Sequence, residues 1–272
     1  MRIGLTGYSG YIGSRLFEYL SLHSGFEIYY IGRVSPVSGK FIDINKPVDN
    51  KIKIDVLINC AAFVPDNQSS DDIEIELINS RLLFSILDCI QLSTCCRILH
   101  LSSLHIEDRQ GSRCVYESSK LSSEILLRTI CFKYDIKLQI LRLGYVYGSK
   151  MRHGFMFKRF IDALCAGKQI ELYNNGKDRH HLVYIDDVVQ IMYRILTEFQ
   201  HEEFISPLWS NCIYNTRQIL DCIASALVVR ADVVNVNNES VYRSDEYEKF
   251  ALFDYEFMSL EETVQEMLRS VE

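Results

Sequence analysis

The chain has 272 residues, 48% of them hydrophobic, with a formal net charge of −7. That is enough for one α/β domain carrying a smaller lobe, and too acidic for a nucleic-acid footprint. No apolar run approaches the roughly 20 residues that span a bilayer, and the sequence opens on a strand rather than a secretion signal, so a chain with no membrane partner is expected. Nine cysteines occur with no Cys-x-x-Cys, and Cys95 and Cys96 are adjacent. That pattern suits neither a disulfide framework nor a metal site, so a reducing, cytoplasmic setting is expected.

Residues 2–6 read as a buried strand, glycines follow at Gly7, Gly10 and Gly13, and a helical pattern continues through Leu16, Tyr19 and Leu20. A strand feeding a glycine-rich turn that opens a helix is a phosphate cradle. Gly7 lets the chain turn, Gly10 lets backbone approach a pyrophosphate, and Gly13 lets the helix pack close to the strand. A second strand at 26–31 ends at Gly32-Arg33, a short one near 41–42 leads to Asp43, and another at 56–60 leads to Ala61-Ala62. Helices are expected at 72–89 and 116–134, with strands at 97–101 and 138–143 between and after them. Continuous apolar strands separated by helices predict a doubly wound parallel sheet, with ligands beyond the carboxyl ends of its strands.

The second half is less regular. It predicts helices at 155–165, 187–198, 216–229 and 259–269, and strands at 170–173 and 182–185. The segments 202–210 and 235–248 read as loops that shape a substrate pocket. A dinucleotide-binding domain is expected over 1–150, with a returning segment near 181–200. A mainly substrate-binding lobe is expected over 151–272.

Tyr116-x-x-x-Lys120 opens the long second helix, and a spacing of four puts phenol and ammonium on one face. A free phenol titrates near pH ~10, and a cation within about 4–6 Å favours the phenolate. Tyr173-x-x-x-Lys177 repeats the spacing but spans an Asn-Gly turn, which cannot hold both side chains on one helical face. Ser103 lies just past the strand at 97–101, at the ligand edge, where a hydroxyl can share a substrate oxygen with Tyr116. Serine there is often a plain turn residue; with the helical pair and the cradle, it marks an oxidoreductase site. His180-His181 has no third ligand spaced to join it, so no metal is expected.

These residues resemble the extended short-chain dehydrogenase/reductase family of nucleotide-sugar epimerases, dehydratases and reductases. The resemblance covers nearly the whole chain and implies a Rossmann-like fold with a small C-terminal substrate-binding lobe. It implies Ser103, Tyr116 and Lys120 as the catalytic set. Tyr116 would pass a proton to or from the substrate oxygen while hydride moves at the nicotinamide, Lys120 would lower the phenol pKa and bind the ribose, and Ser103 would polarise the carbonyl. Cofactor contacts implied are Gly7, Ser9, Gly10, Tyr11, Ile12 and Gly13, the adenine pair Asp43-Ile44, the strand-end residues Cys60, Ala61 and Ala62, and Gly144. Asn79 matches the family's helix asparagine. Arg179 matches an arginine that holds the sugar nucleotide, while Phe63 and His105 would border the sugar or serve as ordinary loop residues.

Two departures narrow the reaction. The family's dehydratases carry Asp-Glu after the catalytic hydroxyl, whereas this chain has Leu104-His105, which argues against elimination of water. Its NAD-specific members present an acidic residue at the end of the second strand; here Arg33 offers a guanidinium that fits a 2′-phosphate. The expectation is NADPH-dependent reduction of a nucleotide-linked keto-sugar, a 4-keto-6-deoxyhexose for surface polysaccharide, with NAD(H) as the other cofactor. A nucleotide-sugar epimerase with bound NAD is the alternative, and a dinucleotide-sensing binding protein a third reading. The family pairs as a homodimer through its two long helices.

Overall fold

The computed structural model describes residues 1–36, 39–46, 51–64, 72–107, 115–151, 155–236 and 247–269. Seven strands form one sheet, in the spatial order β10 (Phe204–Leu208), β6 (Lys137–Leu143), β5 (Arg97–Ser103), β4 (Val56–Asn59), β1 (Arg2–Thr6), β2 (Glu27–Gly32) and β3 (Lys40–Asp43). β1 pairs in parallel with both β2 and β4, and the β2–β3 and β4–β5 pairs are parallel too. The chain runs outward from β1 in one direction through β3 and then restarts at β4 on the other side. That reversal opens a crevice between the carboxyl ends of β1 and β4.

β4 and β5 are buried at every position, which is why their sequences run apolar without alternation. Helices α1 (Tyr11–Ser21), α2 (Asp72–Asp88) and α3 (Val115–Tyr134) flank the sheet, and α2 packs along α3. Leu83, Ile86 and Leu87 of α2 and Leu127 of α3 join Ile31, Leu57 and Ile98 of the strands in one apolar cluster. Each such side chain contributes about 1.5–3 kcal/mol by leaving water.

Arg97 opens β5 with only 2% of its surface exposed. Its guanidinium donates to the carbonyls of Ile195 (3.2 Å), Leu196 (2.5 Å) and Phe199 (3.3 Å), at the end of α5 (Ile185–Glu198). These carbonyls lie in and just past the last turn of the helix, where acceptors outnumber the intrahelical N–H donors.

The chain divides into two compact units. The first comprises Met1–Glu107, Ser112–Arg142 and Val189–Ser206. The second holds Leu143–Val188 and Pro207–Glu272, and is built from shorter pieces. In it β7 (Tyr145–Tyr147) pairs in parallel with β9 (Arg179–Tyr184), and β11 (Ile213–Asn215) pairs antiparallel to β9. β8 (Ile170–Tyr173) pairs with β12 (Val233–Val236), and the helices are α4 (Met156–Cys165), α6 (Thr216–Ala226) and α7 (Leu260–Arg269). A reciprocal capping box between Asn215 and Gln218 starts α6. Tyr147 stacks on Phe157 at 4.3 Å and shares a 2.6 Å hydrogen bond with Thr263.

The expected loop at 202–210 is corrected: 204–208 form β10, an edge strand of the large sheet. Pro207 hides it in sequence, because proline breaks an interior strand but is tolerated at an edge. Ile185 starts α5 rather than ending a strand. β12 takes in Asn235 and Val236 of the other expected loop; its residues 237–246 lie outside the described residues.

Candidate active site

The cradle is set by close approach. Gly7 has φ +67°, and a Cβ there would lie 2.7 Å from the Ala61 nitrogen and the Cys60 carbonyl carbon. A Cβ on Gly13 would lie 2.1 Å from the Gly7 carbonyl oxygen, so α1 begins in backbone contact with the turn after β1. Gly10 is the N-cap and gives no side-chain cap. Its N–H donates to the Gly7 carbonyl (2.8 Å). The first-turn N–H groups of Tyr11, Ile12 and Gly13 lie at the positive end of the helix dipole, and Ser9 is exposed in the turn before them. This cradle fits a dinucleotide pyrophosphate.

The next strand ends lie alongside. Gly32 is in register with Asp43, and the Ile44 N–H donates to the Gly32 carbonyl at 3.0 Å. Asp43 accepts from the Asn45 N–H (3.0 Å) and pairs with Lys46 (3.6 Å). Arg33 is exposed. Tyr8, which no motif in the sequence marks, covers this strand end. Its ring lies 3.0 Å from where a Gly32 Cβ would be, and its hydroxyl donates to the Val34 carbonyl. Burial, then Asp43, raises the Tyr8 phenol pKa. An aromatic residue directly after Gly7 was the available signal.

Ser103 is the last residue of β5 and is 8% exposed. Tyr116 and Lys120 lie one turn apart at the start of α3, with the ammonium 5.9 Å from the phenol ring centroid. Lys120 is buried, and its Nζ donates to the Leu101 carbonyl at 2.9 Å. Burial lowers its pKa to about 8, partly offset by Cys60 and Glu124. The Cys60 thiol is itself pushed up to about 12 by burial, which leaves it unreactive.

Asn79 of α2 ties this region together. Its Oδ1 accepts from the Phe63 N–H (2.7 Å), and its Nδ2 donates to the Phe63 carbonyl (3.2 Å) and to Ser119 Oγ (2.9 Å). The strand-end loop holding Ala61, Ala62 and Phe63 is thereby fixed beside α3. His105 is half-buried in the 3₁₀ turn Leu104–Glu107. Gly144 and Arg179 belong to the second unit, Arg179 opening β9. The discounted pair is split by a 3₁₀ turn in which Asn174, Asn175 and Gly176 all have positive φ. His180 bonds Thr216 at 2.8 Å, whereas His181 packs edge-on to Trp209 and Tyr247.

Behind Lys120, three polar residues interrupt the apolar strands in register: Thr6 faces Asn59, and Asn59 faces His100. All three are almost fully buried. Thr6 and Asn59 each end their strand, while His100 stands at the middle of β5.

A model of the NAD dependent epimerase/dehydratase family matches residues 3–205. Among curated proteins, the chain is 35% identical over 91 residues to an uncharacterized protein of Methanocaldococcus jannaschii. That match takes in 33% of this chain and 28% of the relative, so it spans under a third of that protein's length. CDP-abequose synthase of Yersinia pseudotuberculosis is 28% identical over 211 residues, 72% of this chain and 74% of that protein. Among solved structures, UDP-glucuronic acid 4-epimerase from Bacillus cereus, in complex with UDP-glucuronic acid and NAD, superposes with a TM-score of 0.82 at 18% identity. That superposition covers 100% of both chains and shows the shared fold.

Proposed function

The chain belongs to the NAD-dependent epimerase/dehydratase family, and from that premise we propose that it reduces a nucleotide-activated keto-sugar with NADPH. The substrate class is a nucleoside-diphosphate 4-keto-6-deoxyhexose destined for surface polysaccharide, handled in the cytoplasm. The observation that carries this reading is the end of β2, where Gly32-Arg33 offers an exposed guanidinium and no carboxylate. A guanidinium fork suits a 2′-phosphate, whereas ribose hydroxyls call for a carboxylate. Leu104-His105 after Ser103 supplies no acid–base pair for dehydration. The relative named for CDP-abequose synthesis supports a nucleotide-linked sugar.

The bound nicotinamide would supply hydride to the carbonyl carbon. Gly7, Ser9, Gly10, Tyr11, Ile12 and Gly13 would hold its pyrophosphate, Asp43 and Ile44 the adenosine side, and Cys60, Ala61, Ala62 and Gly144 the remainder. Tyr116 gives its phenolic proton to the substrate oxygen as the carbonyl becomes an alcohol. Lys120 stabilises the phenolate left behind, since an adjacent cation favours that form. Ser103 Oγ donates to the same oxygen and fixes its direction. In this reading the second unit is the substrate lobe, with Arg179 on the diphosphate and Phe63 and His105 bordering the sugar. Leu77, Phe84, Ile125 and Phe132 of α2 and α3 are 46–91% exposed, which supports a homodimer through those helices.

NAD in the Bacillus neighbour favours a second reading, an epimerase that retains NAD. Purified protein carrying NAD would support the epimerase. NADPH oxidation in the presence of a nucleotide-linked 4-keto-6-deoxy sugar supports the reductase, and no oxidation across a panel of such sugars with NADPH or NADH sinks it. Activity should fall on the alkaline side near pH 8, where Lys120 loses its charge.

A further inference from the structure

The Thr6–Asn59–His100 ladder has a direction. The Ala61 N–H donates to Thr6 Oγ1 (3.2 Å), and the Thr6 hydroxyl donates to Asn59 Oδ1 (2.7 Å). With Asn59 Oδ1 used as acceptor, its Nδ2 donates to His100 Nδ1 at 3.1 Å. An imidazole that accepts at Nδ1 is neutral and carries its proton on Nε2. Nε2 is buried, His100 is 1% exposed, and that nitrogen has no protein partner among the described residues.

His100 lines a cavity of about 10 Å³, together with Asn59, Asn79, Lys120 and Ser123. That is room for about one water, and a buried water needs two to four polar partners. The lining provides them. Ser123 Oγ already donates to the Ser119 carbonyl (2.9 Å) and keeps lone pairs, while Asn79 Oδ1 accepts one N–H and has room for another. Lys120 has three N–H groups, one of them committed to Leu101.

We propose that His100 is a positioning residue for Lys120, acting through one buried water that accepts from both His100 Nε2–H and the lysine ammonium. The water's own hydrogens go to Ser123 Oγ and Asn79 Oδ1. Two of the three lysine N–H groups are then committed on the sheet side, which leaves the third for the phenol and cofactor side. The water also supplies solvation to an otherwise buried cation. The other titratable groups facing Lys120 are the Cys60 thiol, the Glu124 carboxylate and the Tyr116 phenol. This role rests on the active-site reading, but the ladder can be tested without turnover.

In ¹⁵N NMR of the whole protein, His100 should appear as the Nε2–H tautomer and should not titrate between pH 5 and 8, in keeping with the depression of its pKa by burial and by Lys120. An Nδ1–H tautomer, or an imidazole that titrates in that range, overturns the proposal. His100→Phe should cut kcat about tenfold and move the alkaline limb of the pH profile to lower pH by about half a unit or more. The same limb should shift in the pH dependence of NADPH binding read by fluorescence, while affinity at pH 7 changes less than threefold. His100→Gln, which keeps a donor in place of Nε2, should restore most of both. An unchanged limb in the folded Phe variant, or Gln behaving as Phe does, overturns the positioning role. If Phe does not fold, the tautomer and the Gln profile decide. Failure to find any sugar substrate would sink the reaction assignment and leave the NMR and binding results standing.

Discussion

The two units differ in what sets their geometry. In the first, the candidate-site turns and loops follow the carboxyl ends of strands in one seven-stranded sheet, and at the first turn the fit is backbone against backbone: a Gly13 Cβ would be 2.1 Å from a carbonyl oxygen. In the second, strands of three to six residues are held by individual side chains, such as the Tyr147–Thr263 hydrogen bond and the Asn215–Gln218 cap. The turn after β1 tolerates no added atom at Gly7 or Gly13; in the second unit Gly144 is held as tightly, its Cβ falling 2.3 Å from the His181 carbonyl oxygen, whereas Gly167 stands open.

The sharpest test of that contrast is Tyr116→Phe. Loss of a general acid costs about 10²–10⁴-fold in turnover, with NADPH affinity by titration calorimetry and folding of both units unchanged. Gly13→Ala comes next and strikes the first turn itself. It should destabilise the protein by about 3 kcal/mol in urea unfolding, as overpacking against backbone does, and weaken NADPH binding with it. The contrasting substitution is Gly167→Ala in the second unit, where φ is +60° but nothing lies within 4 Å. Only backbone strain of about 1 kcal/mol should appear there.

Between these in size falls a charge effect in the second unit. Asp187 is buried, accepts from the Tyr255 hydroxyl at 2.9 Å, and has its pKa raised from 3.8 to about 6, chiefly by burial. From pH 6 down to about 4 the folded protein holds a proton that the unfolded chain lacks. This group therefore adds stability as pH falls through that window and loses it as pH rises through 6. The difference in unfolding free energy between wild type and Asp187→Asn should change by about 2 kcal/mol across it. A flat difference would break the assignment.

Where sequence signals were long and periodic, they led to the structure. The glycine spacing, the strands at 56–60 and 97–101 and the helix carrying Tyr116 and Lys120 come within a few residues of β4, β5 and α3. β7 and β11 have three residues each, too few for a period of two to register. β10 was masked by its own proline, harmless at an edge. At the candidate site, the Tyr116–Lys120 pair was readable because a spacing of four puts both on one helical face, and Ser103 because the apolar run before it marks the end of β5. Tyr8 over Gly32 and the His100 ladder were not, because they depend on which strands become neighbours. Polar residues at matching depth in three apolar strands were the trace left in the sequence.

Arg97 has a consequence for synthesis on the ribosome. Its first acceptor lies 98 residues later in the chain, so at translation rates of about 5–20 residues per second the guanidinium waits on the order of 5–20 s for its partners. Until then this cation has none of the α5 carbonyls it meets in the finished fold, and an unpaired buried charge is costly. The amino-terminal end of β5 must therefore stay wet while the strands before it are already present. The hydrogen bonding of Arg97 is thus completed only once α5 has been made.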